Sequence, residues 1–260
     1  MPVDAHIHFA NLFQRDPEFP GRFSSAAIAS CGASHDPEEF AWSEAFRESL
    51  RAGGGPLPRL SYGIHPQAPR MEQAEFLDSL ARGGRIDVIG EAGFDFFGDR
   101  PEFTRGPETL AIQRRAFEFQ LDLALKTGLP LLVHLRKAMD LAFEYARPLS
   151  RLPAVIFHSW PGTPGEALAL LGRGVEAFFS FGAIVINGHK RAASSLAAIP
   201  ASTILSETDA PWQPPRGEAF CRFEAIGPIV AAMAAIRLLD AEAMEAQIAA
   251  NWVRAFGGGS

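Results

Sequence analysis

The sequence predicts an α/β fold, a (β/α)8 barrel forming a single domain over residues 1–260, and three observations favour it. The length of 260 residues suits one such barrel, which typically needs about 250 residues. Short β-rich segments alternate with longer segments of helical periodicity, which is typical of a parallel sheet with helical crossovers. Eight strand candidates are present, and eight such units favour a closed barrel over an open sheet. No linker rich in Gly, Pro or Ser divides the chain.

The predicted elements follow one another from the first residues to the last quarter of the chain. The strands are predicted at residues 3–8, 24–30, 60–64, 87–91, 131–134, 155–158, 176–180 and 203–205. The clearest helices between them are predicted at residues 37–52, 73–82 and 112–127. In the last of these, apolar residues recur at helical spacing, and Gly128 with Pro130 ends the pattern.

Composition excludes several classes of protein. The net charge is −6 and no run of five or more basic residues occurs, which argues against a broad basic face for duplex nucleic acid. Cys31 and Cys221 lie far apart, so a disulfide scaffold is excluded and a cytoplasmic location is expected. The first strand begins almost at Met1, which leaves no room for a secretory leader. The apolar segment 229–239 contains Arg237 and is predicted to be a buried helix, so no membrane partner is expected.

Polar side chains collect where the predicted strands end, and in a barrel these ends open at one face. His6 and His8 point to the same side of the first strand because alternate residues share a face. The other residues at strand ends are His65, Glu91, His134, Arg136, His158 and Asp209. A lone histidine there is more often a satisfied polar residue, but four imidazoles and two carboxylates are costly to pack without a cation. Six such ligands, one of them able to bridge, suit two divalent cations about 3.5–4 Å apart.

Short motifs in a fixed order span nearly the whole chain. They are Asp4-x-His6-x-His8, Gly63-x-His65-Pro66, Gly90-Glu91-x-Gly93-x-Asp95, Gln113 with Gln120-Leu-x-Leu-Ala124, Pro130-Leu-Leu-Val-His134-x-Arg136, His158, Glu207-Thr208-Asp209-x-Pro211 and Asn251-x-x-Arg254-x-Phe256. Each motif alone is weak, but the set in this order resembles the TatD family of metal-dependent deoxyribonucleases. That family belongs to the amidohydrolase superfamily, so the resemblance implies a TIM barrel of the metal-dependent hydrolase type.

The resemblance also implies a ligand set for two divalent metal ions. It assigns His6, His8 and Asp209 to one cation, His134 and His158 to the other, and Glu91 to both. No lysine stands at the end of the fourth strand, so Glu91 supplies the bridging carboxylate without lysine modification. His65 and Arg136 are expected outside the ligand set, in contact with a phosphate or a leaving oxygen. Zinc, manganese, nickel, cobalt and magnesium all remain open.

The reaction implied is hydrolysis of a phosphodiester by water that two metal ions activate, with Asp209 as the general base and Glu91 as a catalytic carboxylate. DNA is the expected substrate. A narrow barrel mouth without a basic groove favours exonucleolytic cleavage at single-stranded ends. An ester, lactone or amide, such as an aminoacyl ester, remains an alternative because the same water would serve. A barrel that binds metal without catalysis is a third possibility, and the complete set of six candidate ligands argues against it. No obligate protein partner is indicated.

Two acidic residues outside the ligand set are expected to have supporting roles. Asp4 is expected to orient His6 or His8 or to bond backbone groups. Glu207 lies two residues before Asp209. It would either support a ligand or an arginine, or form a salt bridge in the core, and both interpretations stay open.

The remaining aromatic and histidine side chains near the strand ends have less specific interpretations. Trp160 and Trp212 could stack a terminal base, since aromatic rings bind unpaired bases in this way. Packing at the rim of the barrel is the favoured interpretation for both tryptophans. His35 and His189 are expected to be solvated loop residues.

Overall fold

The computed structural model of the protein describes residues 1–54, 56–100 and 103–257. Within these residues, eight parallel strands form one sheet in sequence order. The strands are β1 (Val3–Ile7), β2 (Ala29–Ser34), β3 (Arg59–Tyr62), β4 (Val88–Asp95), β5 (Leu131–Arg136), β6 (Val155–Phe157), β7 (Ala177–Phe181) and β8 (Ile204–Ser206). The sheet curls until β8 lies beside β1, where Ser206 Oγ donates to the Val3 carbonyl at 2.6 Å. The predicted (β/α)8 barrel is therefore confirmed, whereas a single domain over residues 1–260 stays a prediction.

Helices follow most of the strands and cover the outside of the barrel. They are α1 (Phe9–Arg15), α2 (Phe19–Ser24), α3 (Pro37–Arg51), α4 (Ala74–Arg82), α5 (Pro107–Thr127), α6 (Met139–Glu144), α7 (Ala146–Leu149), α8 (Pro164–Leu171), α9 (Lys190–Ala198), α10 (Ile226–Arg237) and α11 (Ala241–Phe256). Short 3-10 turns occupy Met71–Gln73, Ala201–Thr203 and Phe223–Ala225. The three clearest predicted helices are confirmed as α3, α4 and α5.

Local sequence signals explain where several helices begin and end. The Asp36 side chain caps α3 by accepting from two backbone N–H groups of its first turn, and Pro37 occupies the first helical position. Thr163 and Glu166 form a capping box at the start of α8. Gly128 ends α5 with φ at 70°, a left-handed conformation that glycine adopts without strain.

The prediction for the second strand, residues 24–30, is wrong by about five positions. Ser24 is the last residue of α2, and the next residues turn, with Ala27 at φ 48°. The strand begins only at Ala29 and continues to Ser34, where every residue is buried. The small residues of this strand are weak strand formers by sequence, so the turn before it was not recognised.

The core is aliphatic and aromatic on both sides of the sheet. A large cluster runs through the barrel and under the helices, and a smaller aromatic cluster packs where α1, α2 and α3 meet. The helix predicted at residues 229–239 is α10, which ends at Arg237, and Leu238 beyond it is 91% exposed. Across the described residues, no helix has the length and hydropathy that a membrane crossing requires.

Candidate metal centre

The mouth of the barrel contains a cluster of imidazoles and carboxylates at the carboxyl ends of the strands. The cluster, at the floor of a cavity of about 1040 Å³, is formed by His6, His8, His35, His65, Glu91, His134, His158 and Asp209. These residues lie on β1, β2, β3, β4, β5, β6 and β8 or within three residues after the end of one of them. The six ligands expected from the sequence therefore come together at one place.

Glu91 lies at the centre of the cluster. Its Oε1 is 3.4 Å from His6 Nε2 and 3.6 Å from His8 Nε2. Its Oε2 is 3.3 Å from His134 Nδ1 and 2.9 Å from His158 Nε2. The two oxygens of one carboxylate thus face two different sets of imidazoles: the pair from β1 with His35 beside it, and the pair from β5 and β6.

The backbone of β4 is shaped to place Glu91 in the mouth. The pairing of β4 with β5 shifts register between Ile89 and Ala92, as expected for a β-bulge, which re-aims a side chain. Gly93, two residues after Glu91, has φ at 151°, and a Cβ there would overlap the carbonyl oxygen of His134. Glycine at this position allows β4 and β5 to approach closely enough for Glu91 to reach His134.

Asp209 faces the β1 pair from the other side. Its Oδ1 is 3.4 Å from His6 Nε2 and 3.3 Å from His8 Nε2. Its φ is 56°, in the left-handed region that residues other than glycine rarely occupy, and such conformations concentrate at functional sites. The backbone N–H of Asp209 donates to the His6 carbonyl at 2.9 Å, and the Gln213 amide donates to Asp209 Oδ2 at 2.6 Å.

The donor atoms fit divalent cations. His6 Nε2 lies 3.0 Å from His8 Nε2, and His134 Nδ1 lies 3.0 Å from His158 Nε2. Imidazole nitrogens that converge in this way, beside carboxylate oxygens, are the donors that zinc and similar metals prefer. Among the described residues, four groups of three such side chains have donor atoms within 4.8 Å of one another, and all of them belong to this cluster. The chain therefore has candidate metal-binding groups at the barrel mouth.

The electrostatics of the cluster favour positive charge between its donors. Burial lowers the pKa of His6, but the charge of Glu91 and the contacts with Asp209 and Glu91 together raise the pKa to about 9. Burial likewise lowers the pKa of His158, and the charges of Glu91 and Glu207 raise it well above its usual value. For Asp209, burial raises the pKa, but contact with His6 holds the pKa well below its usual range. A buried site in which carboxylate charges outweigh the cost of burying a positive charge attracts cations.

Two carboxylates lie behind the imidazoles of β5 and β6. Asp95, the last residue of β4, lies with its Oδ2 3.0 Å from His134 Nε2. Glu207 is fully buried, accepts from the Ser159 backbone N–H at 2.8 Å and lies 3.6 Å from His158 Nδ1. Carboxylates in this position orient ligating histidines. Of the two interpretations of Glu207, the structure favours support of His158. Asp95 belongs to one of the sequence motifs, but its contact with His134 is known only from the structure.

Asp4 supports the cluster through the backbone. Its carboxylate accepts from the Thr208 backbone N–H at 2.8 Å and from Thr208 Oγ1 at 2.7 Å. It also accepts from the His6 backbone N–H at 3.4 Å. Burial raises the pKa of Asp4 to about 7, although its hydrogen bonds with Thr208 oppose the rise. Of its expected roles, bonding to backbone groups is the one that the contacts show.

Two glutamines of α5 fix the strand ends beside the cluster. The Gln113 amide accepts from the Asp95 N–H at 2.9 Å and donates to the Asp95 carbonyl at 3.0 Å. The Gln120 amide makes the same pair of bonds with Ile64, at 2.8 and 3.0 Å. Buried backbone groups that leave a sheet need such partners. Both glutamines were part of the sequence motifs, and the structure gives them this function.

His35 was expected to be a solvated loop residue, and this prediction is wrong. Its Nε2 lies 3.0 Å from Glu91 Oε1, and its side chain is only 22% exposed. Because β2 ends at Ser34, His35 stands at a strand end like the other imidazoles of the cluster. A correct placement of β2 would have identified it from the sequence. His189 is exposed, as expected, although it also lines the cavity.

His65 and Arg136 both line the cavity next to the cluster. His65 Nε2 is 3.8 Å from Glu91 Oε2, and burial holds the pKa of His65 well below its usual value. Arg136 ends β5 with its guanidinium 3.9 Å above the Phe97 ring and its side chain 38% exposed. The expected contact of both residues with a phosphate stays a prediction.

The two tryptophans have different environments. Trp160 is 1% exposed and packs against Phe157 and Phe179, with ring centroids 5.6 and 4.5 Å away. The packing role favoured for Trp160 is therefore confirmed. Trp212 is 45% exposed, lines the cavity and places its ring centroid 6.4 Å from that of His8. Rim packing does not account for an indole with this exposure.

A parallel eight-stranded barrel with histidines and carboxylates gathered at the carboxyl ends of its strands defines a class of barrel proteins with a metal centre at the mouth. Comparison with known proteins gives the family. The family model described as TatD related DNase matches residues 3–257. The chain belongs to this family, and the family resemblance seen in the sequence is confirmed.

Individual relatives and one solved structure agree with this assignment. A protein of Edwardsiella piscicida named 3'-5' ssDNA/RNA exonuclease TatD is 37% identical over 165 residues, which are 59% of this chain and 58% of that protein. Its namesake in Klebsiella pneumoniae (strain 342) is 32% identical over 209 residues, 75% of each chain. The first match thus spans less than two thirds of the relative. The crystal structure of YJJV, a TatD homolog from Escherichia coli K12, shares the fold, with a TM-score of 0.82, 23% identity and coverage of 99% and 98%.

Proposed function

We propose that the protein is a metal-dependent hydrolase that cleaves phosphodiester bonds of DNA at single-stranded ends. The observation that carries the proposal is the position of Glu91, whose two oxygens face different pairs of imidazoles. This arrangement suits two cations that share one carboxylate. In the proposed centre, His6, His8 and Asp209 hold one cation, His134 and His158 hold the other, and Glu91 contacts both. Zinc, manganese and magnesium are the candidate metals.

The residues of the centre have distinct proposed roles. Divalent cations, when bound, lower the pKa of water and offset the charge of phosphate oxygens. Asp209 is the general base: its carboxylate faces His6 and His8 at the centre and would accept the proton of the attacking water. Arg136, half-buried at the edge of the cavity, binds the phosphate with its planar guanidinium. His65 stays neutral and donates a hydrogen bond to a phosphate or leaving oxygen.

The basic side chains at the rim of the cavity favour a substrate that is an anionic strand. Arg100, Lys137 and Arg191 line it together with Arg136, on a protein whose net charge is −6. Basic side chains concentrated at one mouth steer polyanions to it. The names of the two relatives refer to ssDNA and RNA, and we extend this substrate class to the chain as part of the proposal. A cytoplasmic location also stays a proposal.

The test is cleavage of end-labelled single-stranded DNA by the purified protein in the presence of Mn²⁺, Mg²⁺ or Zn²⁺. We expect products shortened from one end, loss of cleavage on chelation with EDTA, and recovery when the cation is restored. Asp209→Asn should lower kcat by about 1,000-fold, since it removes the base. Asp122→Asn is the matched control, because Asp122 is an exposed aspartate of α5, paired with Lys126 on the same helix.

Two results would overturn the proposal. If the protein holds divalent cations and hydrolyses a carboxylic ester, lactone or amide but neither DNA nor RNA, the substrate class is wrong. If the wild type and Asp209→Asn are equally inactive on all these substrates while the wild type binds metal, the centre is not catalytic.

A further inference from the structure

Two of the three exposed phenylalanine and tryptophan rings among the described residues lie at the mouth of the barrel. The chain contains 21 phenylalanines and 4 tryptophans, and among the described residues the exposed ones are Phe13, Phe97 and Trp212. Phe97 and Trp212 both line the cavity. They follow β4 and β8, which are opposite strands in a barrel of eight. Burial of an aromatic ring is strongly favourable in free energy, and an exposed ring forgoes it. An exposed ring at a proposed substrate site therefore points to a ligand that covers it.

Phe97 and Trp212 differ in what covers their rings. The Arg136 guanidinium lies 3.9 Å from the Phe97 ring centre, and the Lys137 ammonium lies 5.0 Å from it. Phe97 is thus already used to hold two cationic side chains. Trp212 meets only the edge of His8, at an interplanar angle of 77°. Within the part of the chain that the structure describes, no ring or cation is stacked on the indole.

The indole is fixed relative to the candidate metal centre. The Trp212 backbone N–H donates to the Asp209 carbonyl at 2.7 Å. The next residue, Gln213, binds Asp209 Oδ2 and accepts from Ser159 Oγ at 3.0 Å. Three hydrogen bonds, two to Asp209 and one to Ser159, thus hold the loop that carries the ring beside the cluster. Such preorganisation reduces the entropy that a ligand loses when it binds.

We propose that Trp212 is a stacking platform for the unpaired base of the terminal nucleotide, an inference that rests on the proposed function. A base is joined to its phosphate through a single sugar, so a phosphate at the His8 and Asp209 side of the cluster brings its base to the neighbouring indole. Stacking on an aromatic ring accepts every base, because every base has a π face. It also selects single strands, since a base inside a duplex is already stacked and paired.

The test compares two oligonucleotides that differ only in the terminal nucleotide, one with a normal base and the other with an abasic tetrahydrofuran sugar. We measure kcat/KM with proteins that keep the native Asp209. We measure binding by fluorescence anisotropy with proteins that also carry Asp209→Asn. We expect kcat/KM and binding affinity both to be about 10-fold higher for the normal end than for the abasic end. Trp212→Ala should bring this ratio close to one, and Trp212→Phe should keep most of it. The matched control is Phe13→Ala, an exposed ring on α1 outside the cavity.

The outcomes separate the inference from the proposed function. An unchanged ratio in Trp212→Ala would overturn the inference. An equal loss on both oligonucleotides would overturn it too, because Trp212 would then only hold the loop of Asp209. If the wild type cleaves neither oligonucleotide, the proposed function is wrong. The binding ratio then decides the stacking inference without any turnover.

Discussion

The imidazoles on the two sides of Glu91 are held in different ways. On the β5–β6 side, each ring has a carboxylate behind it: Asp95 lies 3.0 Å from His134, and Glu207 lies 3.6 Å from His158. The Nδ1 atoms of His6 and His8 on the β1 side, and that of His158, are buried and have no hydrogen-bond partner among the described residues. Of the four rings, only that of His134 on the β5–β6 side therefore has a carboxylate behind it within hydrogen-bond distance that fixes its direction.

The β1 side is supported through the backbone instead. Asp4 binds the backbone and side chain of Thr208, and the next residue, Asp209, donates its N–H to His6. These bonds fix where Asp209 stands but do not touch the rings of His6 or His8. Carboxylates behind ligating histidines raise their basicity and their metal affinity. We therefore expect the β5–β6 side to bind its cation more tightly and to be filled first.

The largest effect is expected where the two sides meet, at Glu91. Glu91→Gln keeps the shape of the side chain but removes the charge that both pairs share. A shared carboxylate contributes several kcal/mol of charge stabilisation, so kcat should fall by about 1,000-fold or more. Elemental analysis of the purified variant should show no more than one tightly bound cation where the wild type holds two. Calorimetric titration of the metal-free protein gives the same count independently.

Folding must be checked for Glu91→Gln, since Glu91 is fully buried among imidazoles. A melting curve with and without metal provides the check: the wild type should gain stability on adding cation, and the variant should gain less. Two tightly bound cations in a folded Glu91→Gln protein would contradict a shared carboxylate.

A smaller effect, confined to one side, is expected for Asp95→Asn. This change removes the carboxylate behind His134 and leaves the β1 side intact. Loss of such a partner typically lowers metal affinity by about 10- to 100-fold. Calorimetric titration should show one of two binding events weakened and the other unchanged. Asp78→Asn, on the surface of α4 and paired with Arg82, is the matched control. Equal weakening of both events would show that the two sides are not independent.

The sequence predicted the barrel and most of the centre because those signals are local. Strand ends marked by His134, His158 and Asp209 can be found from a short apolar run followed by a donor residue. The glutamines of α5 and Asn251 of α11 also appeared in motifs. Their contacts, such as that of Asn251 with the Ile204 carbonyl at 2.8 Å, link segments far apart in the chain and needed the structure.

The errors at the mouth have a common physical origin. His35 was missed because β2 consists of small residues, Ala29 to Ser34, whose strand character comes from burial in the sheet and not from propensity. Asp95 and Gln213 act on neighbours that are 39 residues and 4 residues away, through side-chain bonds whose geometry no spacing rule gives. Exposure separated Trp212 from Trp160, and exposure is a tertiary property.

The smallest effect is expected at Gln213, which holds the free oxygen of Asp209. Gln213→Ala removes a hydrogen bond of 2.6 Å from an exposed amide to the Asp209 carboxylate, so kcat should fall by about 5- to 10-fold. The affinity of the protein for each of the two cations should not change, because Asp209 Oδ1 still faces His6 and His8. Gln247→Ala on α11 is the control, since Gln247 likewise donates one side-chain hydrogen bond, to Asn251 at 3.0 Å, away from the cluster. If one cation is weakened together with kcat, Gln213 orients Asp209 as a ligand. The β1 side would then depend on side-chain support as much as the β5–β6 side does.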